Sequence, residues 1–346
     1  MLTQNNSKES WQWFSVLLSF CLMAGVFFSM VAFPELGQTA PIEIRAHHDS
    51  TTTSPWHLGI LRFAELVEKK SNGNLKVRVF PPGQLSQENI RTTIELLQAG
   101  SIHVALIVPG FYEAFDPRFM VYGMPFLFKE RGQTFRVLDG PLGEKVLGMM
   151  SEKKIKGLAY WDHGYRQVTN SKKAIRTPED LRGLRIRTPL SPVVGAIFKT
   201  LGTTTTATSM GELYMALQQK MVDGQENPFN TIYRRKFYEV QKYITEWNYQ
   251  FSPLFVGANL AFFQNLSPEN QKIVIDAARE TAIYQRKLSS DEDEAMKKDL
   301  VAKGMELTVL NREQLGVFQK AMEPVYREFE PQIGKELLQE FVTALK

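Results

Sequence analysis

From Ile42 onward the chain alternates short apolar runs with segments whose apolar residues recur every three or four positions, the pattern of strands interleaved with amphipathic helices. Residues 42–46 read as a first strand. A helix follows with Leu58, Leu61, Ala64, Leu66 and Val67 on its apolar side, ended by Asn72-Gly73-Asn74. Residues 75–80 alternate as a second strand stopped by Pro81-Pro82-Gly83, and 87–99 and 104–108 give the next helix and strand. This repeated unit predicts an α/β fold: mixed, mainly parallel sheets flanked by helices, with right-handed crossovers. The second half repeats the scheme, with strands at 157–161, 184–187 and 203–208 and helices at 193–201 and 212–219. Residues 249–263 are too long and too apolar for an ordinary strand of about six residues, so a strand crossing between two lobes is expected. Ser267 before Pro268-Glu269 reads as an N-cap. Helical periodicity then runs to Lys303, giving a long helix that braces both lobes. Within it Asp291-Glu292-Asp293-Glu294 followed by Lys297-Lys298 reads as a solvated face with pairs such as Asp293 with Lys297. A strand at 305–310 and helices from Arg312 complete the chain.

The N-terminus departs from this pattern. Residues 11–33 carry no charge and are preceded by one basic residue, Lys8, so 1–40 read as a secretory signal peptide or an N-terminal membrane anchor through 11–33. Either reading exports the remainder. The single cysteine, Cys21, lies inside the apolar stretch, which leaves the exported part without disulfides or a thiol nucleophile.

At 346 residues the chain is long enough for a large core and two lobes, and 23% charged with 43% hydrophobic residues is ordinary globular composition. A net charge of +4 is spread thinly, with Lys and Arg interleaved with Asp and Glu, and this sets nucleic acid aside as a partner. No GxSxG, P-loop, GxGxxG, HExxH or CxxC occurs, so neither an enzyme signature nor a cofactor or metal motif is present. Of the five histidines, His47 and His48 are adjacent at a strand end and point to opposite faces, poor geometry for a metal. His48 and His163 close strands that would face one cleft and are candidates to touch a ligand there.

The chemistry that is present lies between Tyr160 and Pro228. Arg187 ends a strand and is stopped by Thr188-Pro189, at the carboxyl edge where open α/β sheets bind ligands. Its planar fork matches a carboxylate bidentately. Arg185, two residues earlier, reads as a surface arginine. Arg166 sits in a polar segment and reads equally as a ligand contact or as the partner of Asp162 or a neighbouring acid. Asn227 precedes Pro228, which forces extended geometry and holds its amide in place.

The segments YWDHGYRQVTN at 160–170, GLRIRTP at 183–189, MGELYMALQ at 210–218 and VDGQENP at 222–228 closely resemble the substrate-binding proteins of tripartite ATP-independent periplasmic (TRAP) transporters of the dicarboxylate and organic-acid type. The resemblance runs from about Ile42 to the C-terminus and includes FPPGQL at 80–85 and Gln98-Ala99-Gly100. It implies a two-lobed periplasmic solute-binding fold whose central arginine, here Arg187, grips the carboxylate of a small organic acid anion. By the same resemblance Arg166 is the secondary arginine, Asn227 the amide, and Glu88 an acidic residue of the first lobe. Met210 stands where relatives often have an aromatic, His163 replaces a usual asparagine, and the helix after Glu88 is about two residues longer than usual. The implied partners are the membrane subunits of a TRAP transporter, with no cofactor. A ligand-presenting sensor for a membrane receptor is the alternative, and an enzyme acting on a carboxylic acid, with Glu226 or His163 as base, a further one. On this reading 41–164 with 253–292 form the first lobe and 165–252 with 293–346 the second.

Overall fold

The computed structural model describes residues 40–346, so the expectations for the N-terminal apolar segment lie outside the described residues. Among the described residues no helix is long and apolar enough to cross a membrane. The chain opens with β1 (Ile42–His47), α1 (Pro55–Lys70), β2 (Leu75–Phe80), α2 (Ile90–Ala99) and β3 (Val104–Ile107). After two short 3-10 turns come α3 (Arg131–Leu138), α4 (Pro141–Met149) and the long strand β4 (Ile155–Asn170). Next are β5 (Arg185–Thr188), α5 (Pro192–Thr200), β6 (Thr204–Ala207), α6 (Met210–Gln218), β7 (Gly224–Asn227) and α7 (Phe229–Arg234). The chain then follows β8 (Tyr243–Asn259), α8 (Leu260–Gln264), α9 (Pro268–Ala302), β9 (Glu306–Val309), α10 (Arg312–Ala321), α11 (Glu323–Ile333) and α12 (Lys335–Ala344).

The strands join in the order β2-β1-β3-β8-β4-β7-β5-β6, with β9 on β8. The β1–β2, β1–β3, β5–β6, β5–β7 and β8–β9 pairs are parallel; β3–β8, β4–β7 and β4–β8 are antiparallel. Two strands belong to both lobes. β4 and β8 pair along their whole length, from Ile155 opposite Asn259 to Asn170 opposite Tyr243. β3 joins β8 only at Phe255–Ala258, whereas β7 joins β4 only at Gln167–Asn170 and β9 joins β8 at Tyr243–Glu246. Between them, around Asp162 to Arg166 opposite Pro253 to Gln250, the two strands run without a third, and the register shifts at Asp162/Gly164 and Arg166/Val168. Such irregularities bend a ladder and raise its local twist, so this is where the sheet turns from one lobe into the other.

Helix α9 spans this junction. Ser267 accepts the amide of Asn270 and Pro268 starts the helix, as the sequence signalled. Its 35 residues reach roughly 50 Å. The early turns bury Val274, Ala277 and Ala278 against Trp161, Phe63 and Leu254. Farther along, buried Gln285 bridges the backbone of Asp162, accepting from its amide and donating to its carbonyl, both at 2.8 Å. Trp161 Nε1 donates to the Ala278 carbonyl at 3.0 Å. A side-chain amide that satisfies both backbone groups of a bulged residue removes the cost of leaving them orphaned.

Several sequence readings shift here. The buried face of α1 is Trp56, Gly59, Ile60, Phe63, Leu66 and Val67, while Leu61 faces solvent. Helix α2 begins at Ile90 and not at 87, because Gln87 and Glu88 adopt positive φ and Asn89 caps the helix on Arg91 N. The crossing strand β8 starts at Tyr243 and stops at Asn259, whose side chain caps α8 by accepting from Phe262 N at 2.8 Å. Residues 157–161 are the first third of a strand that runs on to Asn170. Helix α12, grouped with the second lobe on chain order, lays Phe341 against Tyr122 and Phe128, and its Glu340 receives Lys145 at 2.8 Å, all residues of the first.

Asp293 is a further correction. It is buried and does not pair with Lys297, which reaches Glu246 instead. Arg131 NH2 donates to Asp293 Oδ2 at 2.7 Å and Asn230 Nδ2 to Oδ1 at 3.0 Å, while Arg131 Nε lies 3.2 Å from Asp162 Oδ2. One guanidinium thus serves two buried carboxylates where α9 meets the bulge of β4. Burial pushes Asp162 up to about 7, opposed by Arg131 and reinforced by Asp293; burial likewise pushes Asp293 up to about 6. Gly164 sits beside them with φ +118°, and a Cβ there would lie 2.7 Å from Asp293 Oδ2.

Two outcomes follow for the junction. Carboxyls whose folded pKa is raised give stability that is complete below the unfolded pKa and lost as pH rises through the folded value. Arg131→Met, which removes the cation that both acids share, is therefore expected to cost about 3–5 kcal/mol once they ionise. The gap to the parent protein in denaturant titrations should widen between pH 5 and pH 8; an equal gap at both would contradict the cluster. Gly164→Ala is expected to cost about 1–3 kcal/mol from backbone strain alone, read by thermal melting.

Candidate functional site

A cleft opens beside the junction, lined by residues from both halves of the sheet, and encloses about 100 Å³ open to the centre of a water-sized sphere. One wall comes from the segments after β1, β2 and β3, namely Asp49, Ser50, Glu88, Val108 and Phe111, with Trp56 from the first turn of α1. The other comes from the ends of β5, β6 and β7: Arg187, Leu190, Thr208, Met210 and Asn227. His163, Arg166, Gln250 and Ser252 of the crossing strands form its back.

Arg187 is held on β5 between β6 and β7, opposite Thr206 and Gln225. It is 2% exposed. Its Nε donates to the Thr208 carbonyl at 3.1 Å and NH2 donates to the same oxygen, leaving NH1 buried without a partner. No carboxylate stands within ion-pair distance of it among the described residues. Burial without a counter-charge pulls the guanidinium down to about 10, with Glu226 opposing the shift and Arg166 adding to it. Arg185 is the surface arginine the sequence suggested, paired with Asp223 at 2.8 Å.

Arg166 is in a different state. Its NH2 donates to Glu226 Oε1 at 2.7 Å, its Nε donates to Glu226 Oε2, and NH2 also reaches the Asn227 side-chain oxygen at 3.1 Å. The partner is therefore Glu226, not Asp162, whose cation is Arg131. Burial disfavours the Arg166 charge, but Glu226 more than offsets it and the pKa is raised. Tyr249 also donates to Glu226 Oε2, at 2.7 Å. Asn227 passes its Nδ2 hydrogen to Gln225 Oε1 at 2.6 Å, and Gln225 donates in turn to Thr169 Oγ1 at 2.9 Å. Buried polar groups in such a chain are rigid because every member has a partner.

His163 lies between Ser252 Oγ at 3.3 Å and Thr231 Oγ1 at 3.1 Å, with Trp56 edge-on at 5.0 Å. Burial first and Arg166 second lower its pKa well below the usual histidine value, so the ring is neutral. Glu88 lines the cleft from its left-handed loop position and accepts from Arg235 at 2.7 Å, across from the end of α7. Arg235 also donates to the Asp49 carbonyl at 3.0 Å. The structure thus brings Arg187, Arg166, Asn227, Met210, Glu88 and His163 to one cleft. His48 is not among its lining: it is buried, with Nε2 2.9 Å from His57 Nδ1, and burial with the neighbouring His57 and His47 lowers it to about 3.

Gln250, Ser252, Thr208 and Arg235 were not singled out from sequence. A signal existed for two of them: Gln250 and Ser252 are polar at alternate positions of the otherwise apolar run 249–258, which puts both on one face. Thr208 contributes through its carbonyl, which residue type does not reveal.

A solute-binding protein of Verminephrobacter eiseniae is 36% identical over 308 residues, covering 88% of this chain and 91% of that relative. The sugar acid binding protein DctPAm of Advenella mimigardefordensis, solved in complex with galactonate, superposes with a TM-score of 0.85 at 32% identity, covering 89% of this chain and 99% of that one. A TRAP periplasmic solute binding protein of Shewanella oneidensis with bound succinate gives a TM-score of 0.84 at 31% identity, covering 89% and 100%. The model of bacterial extracellular solute-binding protein, family 7 (DctP), matches residues 46–332, and the chain belongs to that family.

Proposed function

We propose that this protein works outside the cytoplasmic membrane, where it takes a small organic acid by its carboxylate between two lobes and hands it to the membrane subunits of a TRAP-type transporter. The observation that carries the reading is Arg187: a buried guanidinium in a cleft wall with one edge on a backbone carbonyl, NH1 unpartnered and no acid beside it. A ligand carboxylate supplies the missing counter-charge and accepts the free hydrogens. Arg166 acts in this scheme by occupying Glu226, which keeps that acid from neutralising Arg187. Asn227, Met210, His163 and Glu88 shape the remaining walls, and His48 supports the loop behind them. The lobes divide at 164/165 and 252/253, and residues 1–40 direct export. Both solved relatives named above hold organic acids, which supports the same class here. Closure expels water and strengthens each charged hydrogen bond in the cleft.

The enzyme alternative needs a free base. Glu226 is engaged by Arg166 and Tyr249, and His163 by Ser252 and Thr231.

Arg187→Ala is expected to weaken binding at least about a hundredfold, since losing one desolvated arginine–carboxylate contact costs about 3–5 kcal/mol. Calorimetry with the ligand released from the purified protein checks this, and near-normal affinity sinks the assignment. Arg166→Ala strands Glu226 and should lower stability by about 3–5 kcal/mol, whereas the double change Arg166→Met with Glu226→Leu should recover most of it. Mass spectrometry after prolonged incubation is expected to return the ligand unaltered.

A further inference from the structure

We infer that the cleft is built for a hydroxylated monocarboxylate, an acid with one carboxylate and a hydroxyl-bearing tail, in preference to a dicarboxylate of the same length. This rests on the reading that Arg187 takes the carboxylate.

The first argument is charge. Three arginines line the cleft, and two are already matched: Arg166 by Glu226, and Arg235 by Glu88 at 2.7 Å. The remaining ionisable wall is acidic. Asp49 lines the same cleft and accepts from Thr93 Oγ1 at 2.7 Å and from Ser86, with His47 Nε2 at 3.2 Å. Burial opposes its ionisation, but these hydrogen bonds hold its pKa below the usual range. A second carboxylate would therefore meet no unmatched cation and would share the cleft with Asp49, a like-charge arrangement that binding sites use to exclude ligands.

The second argument is hydrogen-bond polarity. Gln250 is buried in the back wall; its Nε2 donates to the Tyr122 carbonyl at 3.1 Å, which fixes the amide and leaves Oε1 as a buried acceptor with no partner. A chain of partners fixes Ser252 in the same sense. Asn230 Nδ2 donates to the His163 carbonyl at 3.2 Å and to Asp293 Oδ1 at 3.0 Å, so its Oδ1 is the atom facing Thr231. Thr231 Oγ1 spends its one hydrogen on that oxygen at 3.2 Å, and toward His163 Nε2 it accepts. In a neutral imidazole one nitrogen donates and the other accepts. Nε2 therefore carries the hydrogen, and Nδ1 accepts the hydroxyl hydrogen of Ser252. That leaves Ser252 Oγ presenting lone pairs to the cleft beside Gln250 Oε1, two residues away on the same strand face. Two aligned acceptors call for donors. A ligand hydroxyl supplies them, whereas an ionised carboxylate is acceptor-only and would set lone pair against lone pair.

Calorimetry with a size-matched pair tests this: a four-carbon aldonate against succinate. The aldonate is expected to bind at least about a hundredfold tighter, because a site that hydrogen-bonds a hydroxyl strongly rejects an analogue lacking it. Succinate binding as tightly as the aldonate, or more tightly, overturns the inference while leaving the carboxylate anchor intact. Failure of both acids and of longer aldonates to bind the parent protein overturns the anchor reading and this one together. Gln250→Leu should reduce aldonate affinity about tenfold or more and leave succinate within about twofold, narrowing the ratio. Equal loss for both ligands would mean that Gln250 acts through the fold and would count against the assignment, with thermal melting confirming that the variant is folded.

Discussion

A guanidinium taken out of water without an acid beside it is costly, and keeping Arg187 in that state demands that every nearby carboxylate be committed elsewhere. The second lobe meets this demand residue by residue. Glu226, adjacent in the ladder, has its oxygens taken by Arg166 and Tyr249. Asp223, at the start of the same turn, is held by Arg185 through two side-chain bonds and one from the backbone amide. Glu212 turns back to cap Ser209 at the start of α6, accepting from its amide at 3.1 Å and its hydroxyl at 2.8 Å. Each of these acids has a local partner with better geometry than Arg187, and only the Thr208 carbonyl, a neutral dipole, is left to orient the fork.

The same economy of partners governs the junction between lobes. Two strands cross alone between halves of the sheet, and a bare two-stranded ribbon would be a weak connection. Helix α9 compensates by binding the bulged residues of β4 through Gln285 and by bringing Asp293 to Arg131 beside Asp162. The long helix is therefore tied by hydrogen bonds to the crossing strand β4 around 160–164, and Lys297 near its end reaches Glu246 of β8. Across the cleft mouth the lobes also touch through Arg235 with Glu88 and Arg234 with Thr53, long side chains that are partly exposed and so contribute little to stability. A firm junction with weak bridges at the mouth is the mechanical arrangement in which domain closure concentrates motion at few residues.

Element types and the long crossing strand were legible because they depend on periodicity and on stop signals such as Thr188-Pro189 and Ser267-Pro268, which act locally. Arg187 was legible for the same reason: its position at a strand end follows from its neighbours. What could not be read was pairing at a distance. Arg166 read equally as a ligand contact or as the partner of Asp162 or a neighbouring acid, since only the β4–β7 register, with Val168 opposite Glu226, decides which acid stands beside it. Asp293 looked like one member of a solvated charge run, because the run itself carries no mark of which turn of a 35-residue helix faces inward. The start of α2 was misplaced for a different reason: Gln87 and Glu88 take left-handed backbone conformations, a choice that the surrounding loop imposes and that neither residue type favours.

Occupancy of the polar groups also bears on what the cleft can do with an acid once bound. A general base must have lone pairs free and a pKa suited to taking a proton. Glu226 is engaged by Arg166 through both carboxylate oxygens and accepts from Tyr249, and the His163 ring is neutral, with its acceptor nitrogen taken by Ser252. Among the described residues that line the cleft, the buried atoms with no partner are Arg187 NH1, Gln250 Oε1 and Thr208 Oγ1, a cationic donor, an amide acceptor and a hydroxyl. Together they offer a bound solute one cationic donor and two polar groups to fill. In the proposed function Arg187, Thr208 and Gln250 hold the ligand from one half of the sheet and the back of the cleft, and closure adds the contacts of Asp49, Trp56 and Phe111 from the other half. A ligand shifts a conformational equilibrium by no more than its difference in affinity for the two states. It follows that the contacts made only on closure, those of Asp49, Trp56 and Phe111, set the drive toward the closed state, and by reciprocity any membrane partner that favours the open state weakens ligand binding.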